Sequence, residues 1–445
     1  MPVATFKGGV HPFEGKELTM DKPIKSMLPK TDLVYPVSQH IGAPAKPVVA
    51  VGDRVLAGQM IAEAGGFVSA AVYSAVSGKV KAIQERRLPN GGMGEAIVVE
   101  NDGLYEEVEW EQVKPVEEMT AQEKVDAVRK AGVVGMGGAG FPTAVKLAPK
   151  DPEKIEYIIV NGAECEPFLT SDYRRMVENP ELVVEGLKLV LGLFPNAKGI
   201  IAIENNKPEA IKIMSELVKG EEKISVQELL TKYPQGGERM LIYACTGREI
   251  NSSMLPADAG CIVDNVETIV AIHKAITEGK PILERTVTIT GDAIAEPCNF
   301  RVRLGTNFHD IIQEAGGFAS EPAKIISGGP MMGFSIFDID VPATKTSSAL
   351  TCLTIDQASE LEPSPCINCA KCVDVCPERL IPKDLADAVE HDDDERFLAQ
   401  YGMECIDCGS CSYVCPARRH LKELIGGMRK IQLGKRAAAK AKAAK

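Results

Sequence analysis

The stretch SPCINCAKCVDVCP (364–377) has a near copy, MECIDCGSCSYVCP (403–416), later in the chain. Both have the spacing Cys-x2-Cys-x2-Cys-x3-Cys-Pro. Three thiolates at two-residue separations can surround one face of an iron–sulfur cube from a single tight loop. The fourth cysteine, three residues further on and followed by proline, points away from that loop. The two stretches therefore predict a small C-terminal domain built around iron–sulfur clusters.

This spacing resembles that of bacterial ferredoxins with two [4Fe–4S] clusters, in which the fourth cysteine of each copy binds the other copy's cluster. The resemblance implies one cluster held by Cys366, Cys369, Cys372 and Cys415, and another held by Cys376, Cys405, Cys408 and Cys411. The alternative is a pair of zinc sites, but zinc usually takes a Cys-x2-Cys pair plus a distant pair. A disulfide framework fits less well, since nothing in the chain looks secreted.

The bulk composition narrows the functional class. A length of 445 residues exceeds what one hydrophobic core supports, so we expect several domains. The net charge of -12 argues against a nucleic-acid partner, which would require a concentrated basic face. No apolar run is long enough to span a bilayer, and the N-terminal residues do not resemble a signal peptide. We expect the protein to be located in the reduced cytoplasm, since so many of its cysteines have metal-ligand spacing.

The pattern along the chain predicts a multidomain α/β plus β protein. Residues 1–115 comprise an arm and short strands between glycine turns, which resemble a biotinyl/lipoyl-type barrel-sandwich domain. Lys79 would lie at its hairpin tip but lacks the flanking methionines of a modified lysine, so we expect a docking or structural module. The remaining predicted units are an α/β domain at 116–282, a β-grasp (SLBB-like) unit at 283–340, a linker at 341–360, a two-cluster ferredoxin-type domain at 361–427 and a basic tail at 428–445.

A glycine-rich loop, GMGGAGFPTAVK (135–146), is the second informative stretch. Its glycines leave backbone N–H groups free to approach a phosphate, and a helix starting near Pro142 would favour an anion at its N-terminus. A lysine one turn into that helix could reach the phosphate. The loop also satisfies Gly-x-Gly-x-x-Gly, so a Rossmann dinucleotide site and a turn without a ligand are both alternatives.

Three further stretches, VNGAECEP (160–167), QGGER (235–239) and DNVET (264–268), follow in order. Together with the glycine loop they resemble the flavin- and NADH-binding subunit of respiratory complex I. This resemblance implies FMN and NAD(H) as ligands. The residues it implies as cofactor contacts are Gly135, Gly137, Gly138, Gly140, Phe141, Lys146, Asn161, Glu164, Glu166, Gly237, Glu238, Asn265 and Thr268. Phe141 and Glu166 are the candidate nucleotide contacts, and Gly137, Gly138, Gly140 and Lys146 would hold the FMN phosphate.

The whole chain, from QHIGAPA (39–45) to the two cysteine motifs, resembles the C subunits of Rnf complexes, which are ion-translocating ferredoxin:NAD oxidoreductases. The resemblance implies a peripheral protein on the cytoplasmic face of the membrane, with the other members of the complex as partners and ferredoxin as an indirect one. Nicotinamide exchanges two electrons as a hydride and a cluster exchanges one, so a flavin is needed between them. No catalytic side chain is required for hydride transfer itself.

Two alternatives stay open from the sequence. One is a cobalamin-reductase-like electron-transfer flavoprotein of bacterial microcompartments, which has the same order of domains. The other is a cluster-only electron wire with a vestigial nucleotide site. The sequence does not decide between Na+ and H+ as the transported ion, nor the order of the clusters.

Overall fold

The computed structural model describes residues 3–443. An N-terminal arm comes first and crosses the rest of the molecule, with Ala4 bridging to Leu229 and Val10 to Tyr233. The arm contains strand β1 (Lys25–Ser26), which pairs with a strand of the β-grasp unit rather than with the barrel that follows it. The expected domain at 1–115 is therefore divided, because its first residues pack on later units.

The barrel consists of two small sheets, with strand orders β2-β8-β7-β4 and β3-β5-β6. Its strands are β2 (Leu33–Pro36), β3 (Lys46–Pro47), β4 (Arg54–Val55), β5 (Met60–Glu63), β6 (Val72–Tyr73), β7 (Gly78–Arg87) and β8 (Met93–Asn101). Lys79 pairs with Arg54 inside strand β7, so its expected position at a hairpin tip is wrong. The barrel core is continuous with that of the next domain, which gives the barrel a structural role.

The α/β domain is built on a parallel sheet of order β11-β10-β9-β12. Its strands are β9 (Tyr157–Gly162), β10 (Lys198–Glu204), β11 (Ile224–Leu229) and β12 (Cys261–Asn265). Its helices are α1 (Ala121–Lys130), α2 (Thr143–Lys146), α3 (Ser171–Glu178), α4 (Pro180–Leu191), α5 (Pro208–Leu217), α6 (Glu238–Thr246) and α7 (Val266–Glu278). The apolar runs in β9 and β10 are buried, as parallel strands covered on both faces require.

The β-grasp unit contributes five strands to a six-stranded sheet of order β1-β14-β13-β17-β15-β16. Its elements are β13 (Glu284–Thr290), β14 (Cys298–Arg303), α8 (Phe308–Glu314), β15 (Lys324–Ser327), β16 (Phe334–Ile336) and β17 (Ala349–Leu353). Strand β17 lies within the stretch expected to be a linker, and it is central because it pairs with both β13 and β15. The expected linker is therefore wrong at this point, because part of it is a fully integrated strand.

The ferredoxin-type domain is helical. Its helices are α9 (Lys371–Asp374), α10 (Pro382–Glu390), α11 (Asp394–Ala399), α12 (Ser410–Tyr413) and α13 (Leu421–Ala443). Helix α13 continues through the expected basic tail, whose last two residues lie outside the described chain. None of the helices within residues 3–443 combines the length and the apolar character that a membrane span requires.

Candidate flavin and iron–sulfur sites

The glycine loop projects from the α/β domain as a closed hairpin. Thr143 N–H donates to Val133 O (3.0 Å), and Gly135 N–H donates to Phe141 O (2.8 Å). The tip, residues 137–139, is exposed. A Cβ added at Gly138 would meet nothing within 4 Å, so the backbone there faces open space. Gly140 has φ +73° and packs against the backbone of the barrel at Gln39, a conformation and an approach that favour glycine.

The loop is fixed from beneath at Met136. Its N–H donates to Thr268 Oγ1 (2.9 Å), and its carbonyl accepts from Arg285 Nη2 (2.8 Å). Thr268 is completely buried, and its hydroxyl holds the loop. Its contact with a cofactor stays a prediction. Arg285 comes from strand β13 of the β-grasp unit and also donates to Ser347 O (2.8 Å). At Met136, two domains therefore fix this loop.

Lys146 lies at the end of α2, which is a single helical turn. Its Nζ donates to Val263 O (2.6 Å) and to Asp264 Oδ1 (3.1 Å), and its side chain stays 22% exposed. Burial alone would lower the pKa of Lys146, but the carboxylates of Asp264 and Glu238 outweigh it and raise the pKa. Lys146 is therefore a fixed cation. Asp264 Oδ2 is buried without a hydrogen-bond partner among the described residues.

The second predicted loop follows β9. Asn161 Nδ2 donates to Gly236 O (2.8 Å), which ties this loop to the stretch before α6. Glu164 has φ +47°, and its carboxylate accepts from the N–H groups of Asp172 (2.7 Å) and Tyr173 (3.2 Å) at the start of α3. Glu164 and Asn161 thus organise the backbone around the site. Whether they also contact the flavin stays a prediction.

Glu166 faces the β-grasp unit. Its Oε1 accepts from the N–H groups of Met331 (2.6 Å) and Met332 (3.2 Å), and burial raises the pKa of this carboxyl. If Glu166 contacts a nucleotide as predicted, its carboxylate would do so while also accepting these two interdomain hydrogen bonds. At the third stretch, Gly237 caps α6 and Glu238 is its exposed first residue.

The eight motif cysteines line two separate cavities. The outer cavity is lined by Cys366, Cys369, Cys372 and Cys415, and the inner cavity by Cys376, Cys405, Cys408 and Cys411. These are the two sets that the ferredoxin resemblance implies, with one cysteine exchanged between the copies. Four thiolates around one cavity fit a [4Fe–4S] cluster. Among residues 3–443 no three His, Cys, Asp or Glu side chains are arranged to hold a single metal ion.

The two cavities differ in their surroundings. Cys366 and Cys369 of the outer cavity are exposed, whereas Cys408 of the inner cavity is buried. Tyr233 Oη donates to Cys408 O (2.7 Å) from the loop that follows β11, and both residues belong to one small apolar cluster with Met331. The inner cavity therefore adjoins the α/β domain.

Further contacts fix this junction. Cys165, from the same loop as Glu166, packs on the apolar cluster. Gly9 N–H of the N-terminal arm donates to Val375 O (2.8 Å). Arg239, beside the Gly-Glu pair, binds carboxylates of Glu378 (3.2 Å) and Glu404 (3.0 Å) in the ferredoxin-type domain.

Sequence reasoning did not identify Asp172, Arg285 or Tyr233 as parts of these sites. Each lies outside the matched stretches, and its partner is distant in sequence. The one sequence signal that could have identified Asp172 is its position at the start of a helix, just after the loop that contains Glu164.

Family comparisons agree with this arrangement. The chain matches the RnfC barrel sandwich hybrid domain at 4–104, the Nuo51 FMN-binding domain at 128–274, the SLBB domain at 286–335 and the 4Fe-4S dicluster domain at 365–418. The predicted order of barrel, α/β, β-grasp and ferredoxin-type units is thereby confirmed. FMN and two [4Fe–4S] clusters are the cofactors of such domains, so the chain is an electron-transfer flavoprotein of the iron–sulfur class.

Two relatives match over most of their length. The chain is 47% identical to the C subunit of the proton-translocating ferredoxin:NAD(+) oxidoreductase complex of Clostridium ljungdahlii, covering 86% of this chain and 84% of that one. It is 45% identical to the C subunit of the Na(+)-translocating ferredoxin:NAD(+) oxidoreductase complex of Acetobacterium woodii, covering 86% and 87%. A crystal structure of NAD+-reducing [NiFe]-hydrogenase aligns with a TM-score of 0.48 at 19% identity, covering 71% of this chain and 63% of that one. The chain belongs to the family of C subunits of ion-translocating ferredoxin:NAD(+) oxidoreductase complexes.

Proposed function

We propose that this chain is the member of a membrane-bound, ion-translocating ferredoxin:NAD oxidoreductase that exchanges electrons with NAD(H). The observation that supports this most strongly is the junction at Tyr233 and Cys408, where a cysteine-lined cavity adjoins the loops of the FMN-binding domain. Such contact is what a chain needs to join a two-electron nucleotide site to one-electron clusters. The parts of this proposal that concern ferredoxin, ion transport and a membrane complex are based on the names of the relatives.

The residues present fit FMN. Gly137 and Gly138 offer exposed backbone at the loop tip, and Lys146 supplies a fixed cation nearby in sequence. These three would hold the phosphate, as anion sites built from backbone N–H groups and a lysine do. Asn161, Glu164 and Asn265 would line the remainder of the site. When bound, the flavin supplies the ability to exchange either a hydride or single electrons.

We place the clusters in an order that the sequence left open. The inner set, which includes Cys408, would receive electrons from the flavin site or return them to it. The outer set, with Cys366 and Cys369 exposed, would exchange them with another protein of the complex. Exposed Ile367 lies between those two cysteines and, with Lys371 and Lys383, lines the cavity that a partner would cover.

The relatives belong to ion-translocating complexes, so this chain associates with a membrane through its partners. We propose that it lies on the cytoplasmic face, where NAD(H) and reduced ferredoxin are available. The transported ion is a proton in one named relative and Na+ in the other, and membrane subunits would determine it.

Anaerobic titration with NADH, in the presence of FMN, tests both the function and the cluster order. In the wild-type chain, NADH should bleach the flavin band and produce [4Fe–4S]+ signals in low-temperature EPR. If only dithionite reduces the clusters, the wire alternative replaces this proposal.

A matched pair of variants tests the order. Cys369→Ala should remove the outer cluster and leave the inner one reducible by NADH. Cys408→Ala should leave the outer cluster reducible by dithionite but no longer by NADH. The opposite pattern would reverse the order while leaving the function intact.

A further inference from the structure

Asp172 is a buried carboxyl that the electron-transfer function does not use. It lies at the second residue of α3, and it is 9% exposed. Its Oδ2 accepts from Asn265 Nδ2 (2.6 Å). No described residue donates to Oδ1 of Asp172. Unlike Oδ2 of Asp264, which is buried and unpaired, this oxygen is not fully enclosed. One carboxyl oxygen of Asp172 therefore accepts a hydrogen bond, and the other can carry a proton.

Asn265 connects Asp172 to the glycine loop. Its Oδ1 accepts from Glu267 N–H (2.9 Å) at the start of α7, which fixes the amide so that Nδ2 faces Asp172. A Cβ added at Gly137 would lie 2.8 Å from Asn265 Cβ and 2.9 Å from its Nδ2. The loop backbone thus rests directly on a side chain whose two ends are both held.

The charges around Asp172 come from three other elements. Glu164 approaches from the loop after β9, Glu267 from α7 and Arg285 from β13. Burial raises the pKa of Asp172 to about 7, and Glu164 and Glu267 add to the rise, while Arg285 and the bond from Asn265 oppose it. Arg175 neutralises part of this charge through its ion pair with Glu267 (2.6 Å).

We propose that Asp172 is a proton-dependent positioning residue of the flavin site, and that its neutral form favours the binding of FMN. The inference rests on the proposed function only in taking FMN as the ligand of the glycine loop. A proton on Oδ1 leaves Oδ2 free to accept from Asn265, so the support beneath Gly137 is kept in the neutral form. Ionisation adds a negative charge next to the site of an anionic phosphate, and that repulsion weakens binding.

The sign of the pH effect follows from linkage. An anionic ligand raises the pKa of a neighbouring carboxyl, so FMN binds the protonated protein more tightly. The extra affinity is present below pH 7 and is lost as the pH rises through the pKa of Asp172. If bound FMN raises that pKa by one unit, the dissociation constant increases about tenfold across the transition.

The experiment measures the FMN dissociation constant of the full chain between pH 6 and pH 8.5, by quenching of flavin fluorescence. The phosphate of FMN titrates near pH 6, but it does so equally for every variant. Asp172→Asn is neutral at every pH and can still accept from Asn265. Its affinity should therefore lack the loss that wild type shows. Glu164→Gln removes one of the carboxylates that raise the pKa, so its transition should move to lower pH.

Equal pH profiles for wild type and Asp172→Asn would overturn the inference, and so would an unmoved transition in Glu164→Gln. Absence of FMN binding by wild type at every pH would instead overturn the proposed function. Absorbance of the two clusters, together with the thermal melt, shows that each variant is folded.

Discussion

The glycine loop contains two adjacent glycines whose replacement by alanine should have different consequences for stability. Neither Gly137 nor Gly138 has a positive φ, so alanine is conformationally acceptable at both. At Gly137 the new methyl would lie 2.8 Å from Asn265 Cβ and 3.0 Å from its Cγ, closer than real Cβ contacts. At Gly138 the methyl would enter open space. Gly138→Ala is therefore a matched control for Gly137→Ala.

The cost at Gly137 depends on whether its neighbours can move. Asn265 is held by Asp172 at one end and by Glu267 at the other, and the loop itself is held at Met136. Inserting a methyl into such a packed position typically costs about 1–3 kcal/mol. For a domain of this size, each kcal/mol lowers the melting temperature by roughly 2–4 °C. Without FMN, the Gly137→Ala chain should have a lower melting temperature than wild type. The melting temperature of Gly138→Ala should equal that of wild type.

Titration with FMN separates the two roles. Gly138→Ala should keep wild-type stability yet bind FMN more weakly, since its methyl occupies the space where a phosphate would approach the backbone. Gly137→Ala should show both defects. Differential scanning fluorimetry without FMN, followed by fluorescence titration with it, gives both quantities from one preparation. Equal melting temperatures for the two variants would refute the close approach between the loop and Asn265.

Two further perturbations test the contacts between domains. Burial lowers the pKa of Lys345 to about 7, well below the pKa of a lysine in the unfolded chain. Between these two pKa values the unfolded chain binds one more proton than the folded chain, so the free energy of unfolding should rise by about 2 kcal/mol from pH 7 to pH 9. Lys345→Met should abolish that rise, which parallel melts at the two pH values would detect, and an unchanged slope would contradict it. Arg239→Met leaves Glu378 and Glu404 without their cation at the domain junction and should cost about 1–3 kcal/mol. Hydrogen exchange should then increase in residues 402–406, whereas unchanged protection would show that the ion pairs do not hold the domain.

Local patterns predicted the parts of this molecule whose chemistry is determined by spacing. The cysteine repeats anticipated the two groups of four, because a fixed spacing leaves the fourth cysteine no place in its own loop. The glycine loop and the order of domains were equally clear. Strand β17 was not, since Ala349–Leu353 is short, follows a Thr/Ser-rich stretch and becomes a strand by pairing with β13 and β15. Such pairing depends on tertiary context rather than on intrinsic preference.

Side-chain direction was the second limit. Thr268 lies in a stretch that the structure brings next to the glycine loop, but its hydroxyl turns inward to Met136 N–H. Glu164 similarly turns to the start of α3. A motif identifies which backbone segments meet, whereas the direction of each side chain depends on partners distant in sequence. For the same reason the motifs could not identify Arg285, which comes from another domain.

The anchors of the glycine loop explain why the barrel and the β-grasp unit accompany the flavin domain. The helix after the loop is one turn long, so it provides little rigidity of its own. Arg285 of the β-grasp unit holds Met136 O, and Lys345, between the β-grasp strands, donates to the carbonyls of Ala71 in the barrel (2.6 Å) and Gly132 before the loop (2.7 Å). The glycine loop, which we propose binds a phosphate and which lacks a long helix, is thus stabilised by three domains at once. Loss of either neighbouring unit should loosen the loop before it disturbs the parallel sheet, because one face of the sheet packs on a core that contains no barrel or β-grasp residues.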